Sequence, residues 1–284
     1  MCTVSVIPLG TDALRLACNR DELRTRAIAL PPTIQTFGER RAILPTDPDS
    51  GGTWIAVNDA GVVFTLLNAK PAGALVPSPR PGEKVRERGM SGVCGSADSE
   101  MFPNAPLPSP LPGAGRGSKG SAMPSRGEIV SRLAGHGSVS ETMRALSAIR
   151  AKEYRPFRLV IFDSTSFADV LSNGYRLESQ IRRWGRDPQL FTSSGLGDQL
   201  VQAPRRVLFD EMVTRADDRV RAQDAFHAHT WPDRPHLSVR MSRDDARTVS
   251  RTVIEVRPDA ALLQYHDEVT QSDCDVSLPL VRSR

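Results

Sequence analysis

The second residue of the chain is a cysteine, Cys2, directly after the initiator methionine. A side chain this small in second place permits removal of Met1, which would leave a thiol and a free α-amine on one residue. An α-amine titrates near ~7.7–8.0, so at neutral pH it can accept the thiol proton and serve as the base within the nucleophile's own residue. A cysteine also falls in second place by chance, and its position alone does not separate the two readings.

A second group of chemistry-bearing residues lies in Ala17-Cys18-Asn19-Arg20-Asp21-Glu22, where four consecutive polar residues end an apolar run. A hairpin turning near residue 10 would set Cys2 opposite Cys18 or Asn19 and bring Arg20 and Asp21 close to the N-terminal amine. There Arg20 would lower the thiol pKa or hold a substrate carboxylate, and Asp21 would orient the amine. The plain alternative is a solvated strand end that caps a helix or makes a surface ion pair. Asn68 ends the predicted strand Val62–Leu67, whose partner hairpin carries Gly51 and Gly52, residues that let a ligand or backbone approach closely. Its amide can face the site or simply close a turn.

Other candidates carry less chemistry. His227-Ala228-His229 and His236 have no acid or cysteine at metal-ligand spacing, so they are read as a surface loop and not as metal or haem ligands. Ser193–Asp198 is too poor in glycine for a dinucleotide loop and is taken as a loop beside the pocket.

The elements that must position these residues follow from periodicity. Cys2–Ile7, Leu14–Cys18, Thr53–Val57 and Val62–Leu67 read as strands, paired through turns at Leu9–Asp12 and Asn58–Gly61. Ser125-Arg126-Gly127-Glu128 has capping-box spacing and opens a helix, and a second helix is predicted over Ser140–Lys152 with Met143, Leu146 and Ile149 as its stripe. Arg158–Phe162 and Phe167–Leu171 read as a hairpin that meets Ser172-Asn173-Gly174. Ala203–Val213 reads as a helix, and Thr248–Val256 with Ala261–Tyr265 as a last strand pair. This order predicts an α+β fold, an αββα sandwich of two stacked, mainly antiparallel sheets flanked by helices. Residues 72–124, about half Pro, Gly and Ser, read as a disordered insertion within a single domain spanning 1–284.

Composition narrows the class. Four scattered cysteines, Cys2, Cys18, Cys94 and Cys274, argue against a disulfide framework or zinc ribbon. The net charge of +4 is spread along the chain without aromatic-rich basic runs, which argues against a nucleic-acid partner. No apolar run is long enough to span a membrane, and Met1–Ile7 lacks the basic head and longer apolar stretch of a secretory signal, so a cytoplasmic location is expected.

Met1-Cys2-Thr3, Ala17–Glu22, Gly51–Asn58 with Gly61, Asn68, Ser125–Glu128 and Ser172–Gly174 together resemble the NRDE family, also called the transport and Golgi organisation protein 2 family. The resemblance covers most of the chain outside 72–124. It implies an N-terminal nucleophile hydrolase fold, similar to bile salt and penicillin V acylases, with Cys2, Arg20, Asp21 and Asn68 in catalytic positions. On that resemblance Asn68 would donate to an oxyanion and Asn173 would be a second polar contact near it. The implied activity is hydrolysis or transfer of an acyl group from an amide or thioester in a small molecule. Handling of haem, lipid or acyl-CoA cargo without catalysis is the alternative. No cofactor is expected, and the oligomeric state is left open.

Overall fold

Sequence alternation in the first strands sets the architecture. In β1 (Cys2–Pro8) and β2 (Leu14–Leu23), residues Cys2, Val4, Val6, Leu14, Leu16 and Cys18 share one apolar face. Thr3, Ser5, Asn19 and Asp21 share the other. A strand that is apolar on one side and polar but fully buried on the other needs a layer on each side. The computed structural model supplies both, and it describes residues 2–69, 123–185, 187–194 and 198–281. The 72–124 insertion and the removal of Met1 lie outside the described residues, save for 123 and 124.

The remaining strands are β3 (Leu30–Phe37), β4 (Arg40–Thr46), β5 (Ile55–Asn58), β6 (Val63–Asn68), β7 (Phe157–Phe162), β8 (Ser166–Ser172), β9 (Leu177–Arg183), β10 (Gln189–Ser193), β11 (Ala246–Val256), β12 (Ala260–Asp267) and β13 (Ser272–Pro279). They form a six-stranded sheet in the order β10-β1-β2-β11-β12-β13 and a seven-stranded sheet in the order β3-β4-β5-β6-β7-β8-β9. The pairings are antiparallel. Between the sheets, Val4, Val6, Leu14 and Leu16 meet Ile43, Ile55, Val57, Val63, Val160 and Phe162. Burying one such side chain contributes about 1.5–3 kcal/mol.

Helices cover both outer faces. Helices α1 (Gly127–Leu133) and α2 (Val139–Leu146) pack Ile129, Val130, Leu133 and Leu146 on Phe64, Leu66, Leu159 and Ile161 of the seven-stranded sheet. Helix α3 (Asp198–Phe209), the π-helical turn Asp210–Thr214 and helix α4 (Arg219–Ala228) cover the six-stranded sheet, with Phe209, Val213 and Phe226 against Ile7 and Leu190. The result is the expected αββα sandwich.

Three local expectations are corrected. Ser125 and Glu128 do not form a capping box: the Ser125 hydroxyl accepts from Gly127 N, and the Glu128 carboxylate accepts from the Tyr154 hydroxyl. The reciprocal cap forms instead at α2, where Ser138 Oγ accepts from Glu141 N and Glu141 Oε2 accepts from Gly137 N. The second predicted helix is shorter than Ser140–Lys152, ending at Leu146 and followed by a 3₁₀ turn at Ala151–Glu153. His227 is buried at the end of α4 rather than on a loop. Its Nε2 meets Ser5 Oγ at 2.7 Å and its Nδ1 meets Asn19 Oδ1 at 3.0 Å. No helix among the described residues is long and apolar enough to cross a membrane.

Candidate active site

Cys2 opens β1 between two partners, with Ser193 of β10 on one side and Arg20 of β2 on the other. Strand β2 continues five residues past the predicted end at Cys18, so the register pairs Cys2 with Arg20 rather than with Cys18 or Asn19. The backbone N–H of Cys2 donates to Ser193 Oγ at 3.0 Å.

The thiol is buried and free, as is that of Cys18, one diagonal step away on the same face. The Cys18 thiol hydrogen-bonds the Cys2 sulfur and holds its pKa below the ordinary cysteine value. Burial and the charges of Asp21 and Glu22 oppose that shift, and the N-terminal amine aids it. The same bond, with burial, pushes Cys18 well up, so Cys18 keeps the proton and Cys2 is the more readily ionised of the two.

Arg20 and Asp21 are consecutive, and strand alternation sends them to opposite faces. Arg20 enters the space between the sheets, where its guanidinium lies 4.2 Å from the Trp54 ring centroid and bonds Asp47 Oδ2 at 3.1 Å. Asp47 also receives Arg26, through Nε at 3.1 Å and Nη2 at 2.5 Å. Asp21 faces the helix layer, where Thr248 Oγ1 donates to it at 2.7 Å. Burial pushes the Asp21 carboxyl up, against the nearby charge of Arg205. Arg205 is itself buried, donating to Thr3 Oγ1 and to the carbonyls of Leu237 and Ser238.

A cavity of about 130 Å³ opens on the sulfur side, walled by Cys2, Arg20, Trp54, Asn68 and Arg126 among others. A second, of about 390 Å³, shares Asn68 and runs past Ser193, Arg158 and Asp169. In that second cavity Arg158 and Asp169 form a two-pronged pair at 2.8 and 2.6 Å. Asn68 therefore stands where the two spaces meet. Asn173 lines neither: its Oδ1 accepts from Tyr175 N and Arg176 N and closes the β8–β9 turn, helped by Gly174 at φ +90°.

The cavity floor depends on a contact between two backbones. A Cβ on Gly52 would lie 2.7 Å from Gly127 C, and one on Gly127 would lie 2.8 Å from Thr53 N. Only glycines allow this approach, and Thr53 N donates to Gly127 O across it at 3.2 Å. It carries Arg126 to the cavity wall, where Arg126 Nη1 donates to Pro156 O at 2.9 Å.

Cys2, Arg20 and Asn68 thus share a cavity, Asp21 supports the same strand from behind, and Asn173 belongs to a turn. Sequence reasoning missed Asp47, Trp54, Arg126, Ser193, Arg205 and Thr248. Arg126 and Gly127 lay within a motif already singled out, but their spacing suggested a cap. Ser193 lay in the loop assigned to the pocket. No His, Cys, Asp and Glu cluster among the described residues could hold a metal ion.

The chain has the αββα fold of the N-terminal nucleophile hydrolases. It is similar to the solved structure of a Caenorhabditis elegans ortholog of N-acylethanolamine-hydrolyzing acid amidase. The TM-score is 0.50 at 12% identity, covering 89% of this chain and 92% of that one. A mutant of the conjugated bile acid hydrolase from Clostridium perfringens aligns with a TM-score of 0.49 at 12% identity, over 98% of this chain and 92% of the other. No protein-family model matches the sequence, and a search of the curated proteins gives no match.

Proposed function

We propose that the protein is a cysteine N-terminal nucleophile hydrolase that takes an acyl group from an amide or thioester of a small molecule. The observation that carries this reading is the setting of Cys2: a thiol on a cavity wall, biased toward ionisation by a neighbouring thiol, with cations and an amide around the same space. The resemblance of the quoted motifs to the NRDE family and the kind of enzyme that shares the fold both fit it.

Once Met1 is removed, the α-amine accepts the thiol proton and the sulfur attacks the carbonyl carbon. The Asn68 amide donates to the oxyanion, and Ser193 Oγ accepts from the amine and fixes its direction. Collapse breaks the C–N or C–S bond, and the leaving group takes the proton held by the ammonium. Water then attacks the thioester on Cys2, releasing a carboxylic acid and restoring the thiol. A non-catalytic role as carrier of haem or lipid calls for an apolar cavity. The space beside Cys2 is walled instead by Arg20, Arg26, Glu22, Asp47 and Arg126, so the acyl-transfer reading is preferred.

The test is intact-mass measurement after incubation with an N-acyl p-nitroanilide and with an acyl thioester. Mature protein lacking Met1, gaining the acyl mass at Cys2 and losing turnover in Cys2→Ala, is the expected result. Met1 retained in the purified protein, or activity surviving in Cys2→Ala, would end the proposal.

A further inference from the structure

The cavity beside Cys2 has three arginines on its wall, Arg20, Arg26 and Arg126, and two acids, Glu22 and Asp47. Their pairing is unequal. Arg20 is held by Asp47, by the Trp54 ring and, at 3.7 Å, by Glu22. Arg26 is held by Asp47 and, at 3.7 Å, by Asp49. Arg126 makes no ion pair with a carboxylate among the described residues, and its hydrogen bond goes to a neutral carbonyl, Pro156 O.

Its surroundings sharpen the imbalance. Arg126 is half-buried, and burial together with the positive charges of Arg155 and Arg26 disfavours its own charge, while Glu22 and Cys2 act the other way. A guanidinium withdrawn from water and set among other cations gains when an anion arrives. Its planar donors suit a two-oxygen group such as a carboxylate better than a single point of charge. The side chain is also held in place before any ligand comes, by the Pro156 contact at one end and the Gly52–Gly127 backbone approach at the other.

We propose that Arg126 is the recognition residue for a carboxylate on the small molecule that the Cys2 cavity takes. The role expected of Arg20, holding a substrate carboxylate, thereby moves to a residue on the far side of the insertion. The inference rests on the acyl-transfer reading for what happens next to the ligand, but the binding itself does not need turnover.

The experiment compares ligands that differ only in charge, on full-length Cys2→Ala protein, by ligand-observed NMR titration. One pair is N-acetylglycine and N-acetylglycinamide, with the carboxylate on the amine side. The other is succinamate and succinamide, with the carboxylate on the acyl side. At low salt the carboxylate of at least one pair is expected to bind roughly tenfold more tightly than its neutral partner. Arg126→Met should bring that ratio to about one while the neutral affinity stays within about twofold, and Arg126→Lys should keep part of it. Equal affinities within both pairs in the parent protein, a ratio untouched by Arg126→Met, or no binding of any of the four ligands overturns the proposal. The parent comparison stands even where Arg126→Met does not fold. A protein that discriminates the pairs yet never acylates Cys2 keeps this inference and loses the hydrolase reading. One that acylates without discriminating does the reverse.

Discussion

Cys2 and Arg20 stand directly opposite each other across β1 and β2, yet the arginine's charge is directed at Asp47 and the face of Trp54. Asp47 holds two guanidiniums in a space largely closed to water, with only 10% of its side chain exposed and 5% of that of Arg20. The carboxylate is therefore the keystone of the positive wall.

Asp47→Ala should leave Arg20 buried without its main counter-charge and lower stability by about 3 kcal/mol or more. Urea unfolding checks this through the midpoint at unchanged slope. A change within about 0.5 kcal/mol would show that the pairing does not matter.

Cys18 is the cause of the lowered Cys2 pKa, and the sign follows directly. A bond donated to the Cys2 thiolate favours ionisation, so Cys18→Ala should move the Cys2 titration to higher pH. The pH dependence of Cys2 alkylation by iodoacetamide, located by peptide mass mapping, measures it without any substrate. An unchanged or downward midpoint would contradict the hydrogen-bonded thiol pair.

His227 gives a stability signature in acid. Burial, with Arg251, Arg15 and Arg205 nearby, brings its pKa from 6.5 to about 3 in the folded chain. Between those values the unfolded chain binds the extra proton. The stability contributed by the neutral imidazole is thus complete above about pH 6.5 and lost as pH falls toward 3, at up to about 1.4 kcal/mol per pH unit. The slope of unfolding free energy against pH from 6.5 to 4 should be shallower by about one proton in His227→Asn. Equal slopes in the two proteins would refute it.

Gly52→Ala and Gly127→Ala each place a methyl group under 3 Å from backbone, so neither can be absorbed by a side-chain rotation. Each should cost about 1–3 kcal/mol. If either variant melts with the parent, the close approach is not required.

Much of this was legible in the sequence, in proportion to how local its cause is. Cys2–Ile7, Val62–Leu67 and the turn at Asn58–Gly61 announced themselves by apolar runs and by a glycine that adopts φ +77°. The edge strands did not. β3 carries Pro31 and Pro32, and β9, Leu-Glu-Ser-Gln-Ile-Arg-Arg, is largely exposed and has no apolar alternation to read. Helix α4 contains Arg-Val-Arg-Ala-Gln-Asp with little apolar stripe, because part of its buried face is made of Gln223 and His227. The site divides the same way. Cys2, Arg20 and Asp21 could be found because one hairpin joins them. Asp47, Trp54 and Arg126 reach the cavity only once the two sheets have stacked.

The imidazole bridged between Ser5 Oγ and Asn19 Oδ1 has a consequence for anyone searching structures by distance template. Hydroxyl, ring and amide lie in a row that mimics a protease triad, on the reverse side of the two strands that carry the thiol. All three are sealed from solvent, at 1% exposure or less. A search scored on interatomic spacing alone would flag the back of the sheet, and only a check for an opening to solvent would turn it around to face the sulfur.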